Sequence, residues 1–157
     1  MIGNSFKDFV DEIQLKNREG IDTKFSNITK RLNTSFWDDE ENESDHSRVV
    51  GSIGRFTAID GVSDMDMLFI LPDELFKTYE EEEGNGQKSL LQDVKKEVKK
   101  RYPHESTKVR GDGQVVVVSF SNYEVEICPV FREADGSFTY PDSNHGGKWK
   151  KKILYQK

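Results

Sequence analysis

Residues 51–71 read GSIGRFTAIDGVSDMDMLFIL, and the rest of the chain is organised around this stretch. It begins with a glycine and a serine, Gly51 and Ser52, followed by a short polar loop. Where such a pair opens a helix, the first backbone amides are free to donate to a phosphate, and glycine allows close approach because it has no side chain. The Ser52 hydroxyl adds another donor. The first part of the stretch therefore predicts a phosphate-binding loop.

Two carboxylates, Asp64 and Asp66, open an apolar run over residues 67–71. Residues two apart on a strand point to the same face, so both carboxylates share one face while Met65 and Met67 share the other. Carboxylate oxygens suit Mg²⁺, which completes its shell with water and substrate phosphates. The apolar run predicts a strand that is buried on both faces of a sheet.

An Asp-x-Asp triplet alone is most often a solvated strand end, but the order Gly-Ser, loop, Asp-x-Asp and buried strand is far more specific. In this order the sequence resembles the nucleotidyltransferase superfamily that includes DNA polymerase beta, oligoadenylate synthase and cyclic GMP-AMP synthase. It is most similar to the bacterial cyclic-oligonucleotide synthases of anti-phage signalling systems, over residues 5–149. The resemblance implies an α/β fold, with a mixed sheet of the polymerase beta type flanked by helices.

A third carboxylate is implied by the same resemblance. Residues 124–131 read EVEICPVF and resemble the family's third acidic motif, in which one carboxylate stands three residues before the proline. That position is Glu126, where the family often has aspartate. Glu124 is the less favoured substitute, with a surface residue as its plain interpretation.

The resemblance also implies a mechanism. Asp64, Asp66 and Glu126 would hold two Mg²⁺ or Mn²⁺ ions, and Gly51 and Ser52 would contact the phosphates of a nucleoside triphosphate, with ATP and GTP as the expected substrates. An acceptor ribose hydroxyl would attack the α-phosphate and expel pyrophosphate, and repetition of this step would make a cyclic di- or oligonucleotide.

Further candidates for nucleotide contact are supported less directly. Arg55 lies between the Gly-Ser pair and the carboxylates, and either reaches the triphosphate or is a surface arginine. Residues 140–150 read YPDSNHGGKWK and look like a family signature that follows the third acidic strand. Within it, Asn144, Lys148 and Trp149 either contact the nucleotide or form a structural clasp.

The composition limits the class of protein. The chain has 157 residues, a formal charge of -6 and 34% hydrophobic residues, which is sufficient for one domain with a core. No stretch approaches the roughly 18 apolar residues of a membrane span, and the N-terminus lacks a signal-peptide pattern. The single cysteine, Cys128, excludes an intramolecular disulfide framework. We therefore expect a cytoplasmic protein that does not engage a membrane.

Periodic patterns predict the other elements. Helical spacing predicts two helices before residue 37, with Gly20 near their join, and an amphipathic helix through Leu90 and Val98 that ends before Pro103. Residues 114–120 and 123–127 predict a pair of strands. The expected division of the single lobe is 1–36 for N-terminal helices, 48–131 for the catalytic core and 132–157 for a connector and basic tail.

The resemblance stops after Trp149, where family members continue into a helical second domain. We therefore expect a truncated or split lobe that lacks this domain and has weak or no activity. It would self-associate through exposed apolar surface, or dock with a partner chain that supplies the missing helices. Two alternative functions remain open: a non-catalytic nucleotide- and metal-binding or interaction module, and a nucleotidyltransferase that modifies transfer RNA or protein.

Overall fold

The computed structural model describes residues 18–50, 65–121 and 123–153. The first predicted helix lies outside the described residues. So do four of the candidate site residues, whose roles stay predictions: Gly51, Ser52, Arg55 and Asp64.

The described residues form three α-helices and seven β-strands. In chain order these are α1 (Arg18–Phe36), β1 (Ser47–Val49), β2 (Met65–Ile70), α2 (Glu74–Glu80), α3 (Gly86–Arg101), β3 (Lys108–Asp112), β4 (Val115–Ser119), β5 (Glu124–Arg132), β6 (Phe138–Asp142) and β7 (Lys148–Lys152), with a short 3₁₀ turn at Asn144–Gly146 between the last two strands. None of the helices in the described ranges has the length and apolar character needed to cross a membrane.

All seven strands belong to one mixed sheet. The strand order is β1-β2-β5-β4-β3, with β6 added beside β5 and β7 beside β6. Strands β2 and β5 are parallel, whereas the other pairs are antiparallel. The mixed sheet flanked by helices confirms the expected fold class.

The sheet is buried on both faces around β2, as its continuous apolar run predicts. Met65, Met67 and Phe69 pack on the side of the helices, whereas Leu68 packs on the other side. The apolar faces of α1 and α3 also pack on the helix side of the sheet. The face of α1 consists of Ile21, Phe25, Ile28 and Leu32, and the face of α3 consists of Leu90, Leu91, Val94 and Val98.

The predicted helices in the described part of the chain are confirmed. Gly20 is the third residue of α1, and the predicted join to the first helix lies outside the described residues. A Cβ atom at Gly20 would come within 3.1 Å of the Tyr123 hydroxyl, so glycine allows α1 to approach the start of β5 closely. Helix α3 begins after Asn85, whose side chain accepts a hydrogen bond of 2.9 Å from the backbone N–H of Lys88, as expected of a helix N-cap.

Three strands form where the sequence patterns are weakest. Strand β3 pairs with β4, and β6 and β7 occupy the region expected to be a connector and basic tail. The sequence of β7 is KWKKK, which has no alternation of apolar and polar residues. Pairing with β6 gives this segment its extended conformation, a contribution that a local pattern does not contain.

Candidate functional site

Two carboxylates lie on neighbouring strands at the centre of the sheet. Asp66 on β2 is the register partner of Glu126 on β5. Neighbouring strands lie about 4.8 Å apart, and side chains of paired residues project from the same face. Both residues are 6% exposed, so the two acids lie at a nearly enclosed position on a rigid element. The structure thus brings together the two described members of the predicted acidic set.

The ionisation of Cys128 shows how concentrated the negative charge is. Burial raises the pKa of the Cys128 thiol well above its ordinary value, and the negative charges of Glu126 and Asp66 raise it further, while Lys152 acts in the opposite direction. Cys128 follows Glu126 by two residues and shares its face. The thiol is therefore neutral, and both carboxylates and one lysine act on the same small region.

Glu124 lies in a different environment from Glu126. It is half-buried, its Oε2 accepts a hydrogen bond of 2.7 Å from the Ser119 hydroxyl, and the Arg110 guanidinium is 3.7 Å from the same oxygen. These partners lie on β3 and β4, away from β2. The arrangement favours Glu126 as the partner of Asp66, as the third acidic motif predicts.

The donor set has the chemistry that a hard divalent cation requires, because carboxylate oxygens are the ligands that Mg²⁺ prefers. Within residues 18–50, 65–121 and 123–153, no group of three or more His, Cys, Asp or Glu side chains is arranged to hold a metal ion. The third expected ligand, Asp64, lies outside the described residues. Of the three carboxylates that the family pattern implies as metal ligands, the structure describes two, Asp66 and Glu126.

The candidates in residues 140–150 lie on different sides of the sheet or in a turn. Trp149 packs against Phe76 at 4.9 Å and Phe131 at 6.0 Å between ring centroids. These rings belong to the core between the sheet and the helices, the opposite side from Glu126. Lys148 is exposed and alternates with Trp149 along β7, so it faces the other side. The packing of Trp149 supports the clasp interpretation, and its contact with a nucleotide stays a prediction.

Asn144 lies in the turn between β6 and β7. Its backbone N–H donates a hydrogen bond of 3.0 Å to Asp142 Oδ1. The side chain of Asn85 donates a hydrogen bond of 2.8 Å to the Ser143 carbonyl in the same turn. A Cβ atom at Gly147 would overlap the side chain of Asn85, and its φ of 94° also favours glycine. The turn is therefore held against the start of α3.

A buried polar cluster around Asp142 is absent from the sequence-based expectations. Asp142 is 4% exposed, and its Oδ2 accepts a hydrogen bond of 3.1 Å from Gln114 and lies 3.0 Å from the Lys150 ammonium. Burial opposes ionisation of the carboxyl, but the hydrogen bonds from Asn144, Gln114 and Lys150 prevail and lower the pKa of Asp142 from 3.8 to about 2. No motif reveals this cluster, because pairing of β6 with β7 creates it.

Comparisons with known proteins show which family the chain belongs to. A family model described as Second Messenger Oligonucleotide or Dinucleotide Synthetase domain, abbreviated SMODS, matches residues 1–152. The chain belongs to the SMODS family. The matched segment includes both strands that carry Asp66 and Glu126. The expected nucleotidyltransferase kinship is thus confirmed. No curated protein matches the sequence of this SMODS domain.

Two solved structures resemble the SMODS domain at low sequence identity. One is the Escherichia coli MS115-1 CdnC:HORMA-deltaN complex, with a TM-score of 0.52 and 14% identity over 96% of this chain and 46% of that chain. The other is the Bradyrhizobium diazoefficiens CD-NTase CdnG in complex with GTP, with a TM-score of 0.40 and 15% identity over 56% of this chain and 23% of that chain. The first shows a shared fold. The SMODS domain spans less than half the length of either chain.

Proposed function

We propose that this SMODS domain transfers a nucleoside monophosphate from a nucleoside triphosphate to a ribose hydroxyl and releases pyrophosphate. Repeated transfer would make a cyclic di- or oligonucleotide, which would serve as a second messenger in anti-phage defence in the cytoplasm. The observation that carries the proposal is the register pairing of Asp66 with Glu126 on adjacent parallel strands, within a chain of this family.

Asp66 and Glu126, together with Asp64, would hold Mg²⁺ or Mn²⁺. When bound, the metal would neutralise phosphate charge and lower the pKa of the attacking hydroxyl. The sheet would hold the two described ligands in fixed positions, because both carboxylates are on central strands and each is only 6% exposed. Interactions between charges are stronger where water is excluded, so this burial favours tight binding of a cation between them.

The phosphate-binding loop would contact the substrate through Gly51, Ser52 and Arg55. Its starting point is fixed by a backbone hydrogen bond of 2.8 Å, in which the N–H of Val50 donates to the carbonyl of Asp66. The residue before the Gly-Ser pair is therefore tied directly to the residue that carries a carboxylate. This bond supports the proposal that phosphate and metal are bound side by side.

Nucleoside triphosphates, with ATP and GTP as the first candidates, are the proposed substrates. Among the candidates in residues 140–150, Lys148 is exposed and carries a positive charge that suits a phosphate group. For Asn144 and Trp149 we propose a positioning role, in which the turn and the aromatic packing hold the β6–β7 hairpin. We also propose that a partner chain binds this domain and covers the carboxylate side of the sheet.

The test is incubation of the purified chain with the four ribonucleoside triphosphates and Mg²⁺ or Mn²⁺, followed by mass spectrometry. We expect oligonucleotide products from the parent chain and from Glu124→Gln, and none from Asp66→Asn. Label on a macromolecule rather than on a small product would instead identify a nucleotidyltransferase that modifies RNA or protein. Metal-dependent triphosphate binding without any product would overturn the synthase proposal in favour of a binding module.

A further inference from the structure

Three cationic residues are neighbours of Phe138 in the sheet. The guanidinium carbon of Arg48, on β1, lies 5.5 Å from the centroid of this ring. Arg132 on β5 and Lys152 on β7 are the register partners of Phe138 on its two sides. Directly paired residues of antiparallel strands project from the same face. We call these residues, Arg48, Arg132 and Lys152, the cation cluster.

The cation cluster lies on the same face of the sheet as the carboxylates, and its members are at different distances from them. Arg132 follows Glu126 by an even number of residues on one strand, so the two share a face. At about 3.3 Å per residue, their Cα atoms are about 20 Å apart along β5. Arg48 pairs with Leu68, which lies on this face two residues beyond Asp66. Arg132 is therefore far from the Asp66–Glu126 pair, whereas Arg48 lies closer to it, and Lys152 is near enough to act on Cys128.

The two arginines of the cluster have no acidic partner among the residues that the structure describes. Every ion pair in the described ranges joins other residues, and Arg48 Nε is buried without a hydrogen-bond acceptor. Burial lowers the pKa of the Arg48 guanidinium, and the nearby charge of Arg132 lowers it further. The adjacent acid, Glu133, follows the end of β5 and accepts a hydrogen bond of 2.6 Å from the Thr139 hydroxyl.

Two guanidiniums that repel each other, one with a buried and unsatisfied donor, carry an energetic cost that an anion would remove. Guanidinium groups match phosphate oxygens because their N–H donors form a planar fork, and a lysine adds a point charge. The aromatic ring beneath Arg48 holds its guanidinium in place through a cation–π contact.

We infer that the two arginines of the cation cluster bind an oligophosphate group through contacts that involve neither Asp66 nor Glu126. Binding requires neither divalent metal nor catalysis, so the inference is independent of the proposed function. The shared chemistry is a chain of phosphates, which can belong to a free oligophosphate or to a nucleotide.

The test is calorimetric titration of the full chain with sodium tripolyphosphate in EDTA at about 50 mM salt, where screening is weak. Because charge-assisted hydrogen bonds are strong, we expect Arg48→Gln and Arg132→Gln each to raise Kd about tenfold. Arg48→Lys, which keeps the charge and loses the fork, should have an intermediate effect. The matched control is Lys108→Gln, an exposed residue of β3, which should leave Kd unchanged. Arg132 is exposed, so its variant tests the site even if Arg48→Gln does not fold.

A parallel titration with ATP in EDTA distinguishes the source of the phosphates. Equal Kd values would mean that the phosphate chain alone is recognised, whereas a lower Kd for ATP would identify a nucleotide. Unchanged tripolyphosphate binding in both arginine variants would overturn the inference, as would no binding by the parent chain. Loss of binding in Ser52→Ala alone would place the anion in the Gly-Ser loop and would also overturn it. Asp66→Asn, which tests the proposed function, should retain tripolyphosphate binding.

Discussion

Asp66 and Glu126 are register partners on the parallel strands β2 and β5, and both are almost completely buried. Parallel pairing at the centre of a sheet fixes their separation, because neither strand can shift by one residue without moving its apolar residues to the wrong face. A carboxylate pair held in this way is pre-organised for a cation before any ligand arrives.

The first prediction concerns the two glutamates of β5. Glu126→Gln should reduce turnover by at least about 100-fold, because an amide is a poor ligand for a divalent cation, while triphosphate binding changes less. Glu124→Gln should change turnover little, since Glu124 bonds to Ser119 rather than facing Asp66. Initial rates and Kd for the triphosphate, measured on both variants, check this. The reverse order of effects would mean that Glu124 is the functional acid.

The second prediction concerns Asp142. Its pKa is lowered to about 2, so the folded state favours the ionised form and the stabilisation is present above the unfolded pKa of 3.8. Asp142→Asn should therefore lower the free energy of unfolding at neutral pH by about 2 kcal/mol.

The difference in stability should decrease as the pH falls from about 5 to about 2, because the parent carboxylate then becomes protonated. Urea denaturation of both chains across this range provides the measurement. A stability difference that did not change with pH would show that the ionised carboxylate is not the source of the effect.

The third prediction concerns Trp149, which is packed against Phe76 and Phe131. Trp149→Ala should lower the free energy of unfolding by about 2–3 kcal/mol, somewhat less than for a fully buried tryptophan. Trp149→Phe, the matched control, should cost much less because an aromatic ring is kept. Urea denaturation and triphosphate titration on the same samples separate the two roles. Unchanged stability together with weaker triphosphate binding would favour nucleotide contact over the clasp.

The fourth prediction concerns Asn33, which is completely buried at the end of α1. Its Nδ2 donates to the carbonyls of Asn42 and Asp45, at 3.1 and 2.9 Å. Its Oδ1 lies 2.7 Å from His46 Nδ1, so this ring nitrogen carries the proton. Asn33→Ala would leave these buried groups unsatisfied and should lower the free energy of unfolding by about 3 kcal/mol.

The loop between α1 and β1 should also exchange its amide hydrogens faster in Asn33→Ala, because the asparagine connects that loop to the helix. Hydrogen exchange of residues 42–46 measures this directly. Thr34→Ala is the control, since the Thr34 hydroxyl bonds only within α1, to the Lys30 carbonyl. Equal exchange in both variants would contradict the role assigned to Asn33.

Sequence patterns predicted the elements whose signals are local and strong. The apolar face of α3 and the apolar run of β2 are examples, because the period of each pattern matches the geometry of its element. The strand β7 was not predicted, because its lysines lack alternation and its conformation comes from pairing with β6. For the same reason the ion pair between Asp142 and Lys150 was not foreseen.

The sequence alone determined the fold class and the family resemblance, and that resemblance implied Asp66 and Glu126, because a motif depends only on the order of residues along the chain. Only the tertiary structure decided which side chains meet. It paired the two acids in register, turned Trp149 toward Phe76 and Phe131, placed Arg48 over the ring of Phe138, and paired Arg132 and Lys152 with Phe138. These contacts join residues that are distant in the chain, and strand order and register, which no local pattern encodes, set the distances between them.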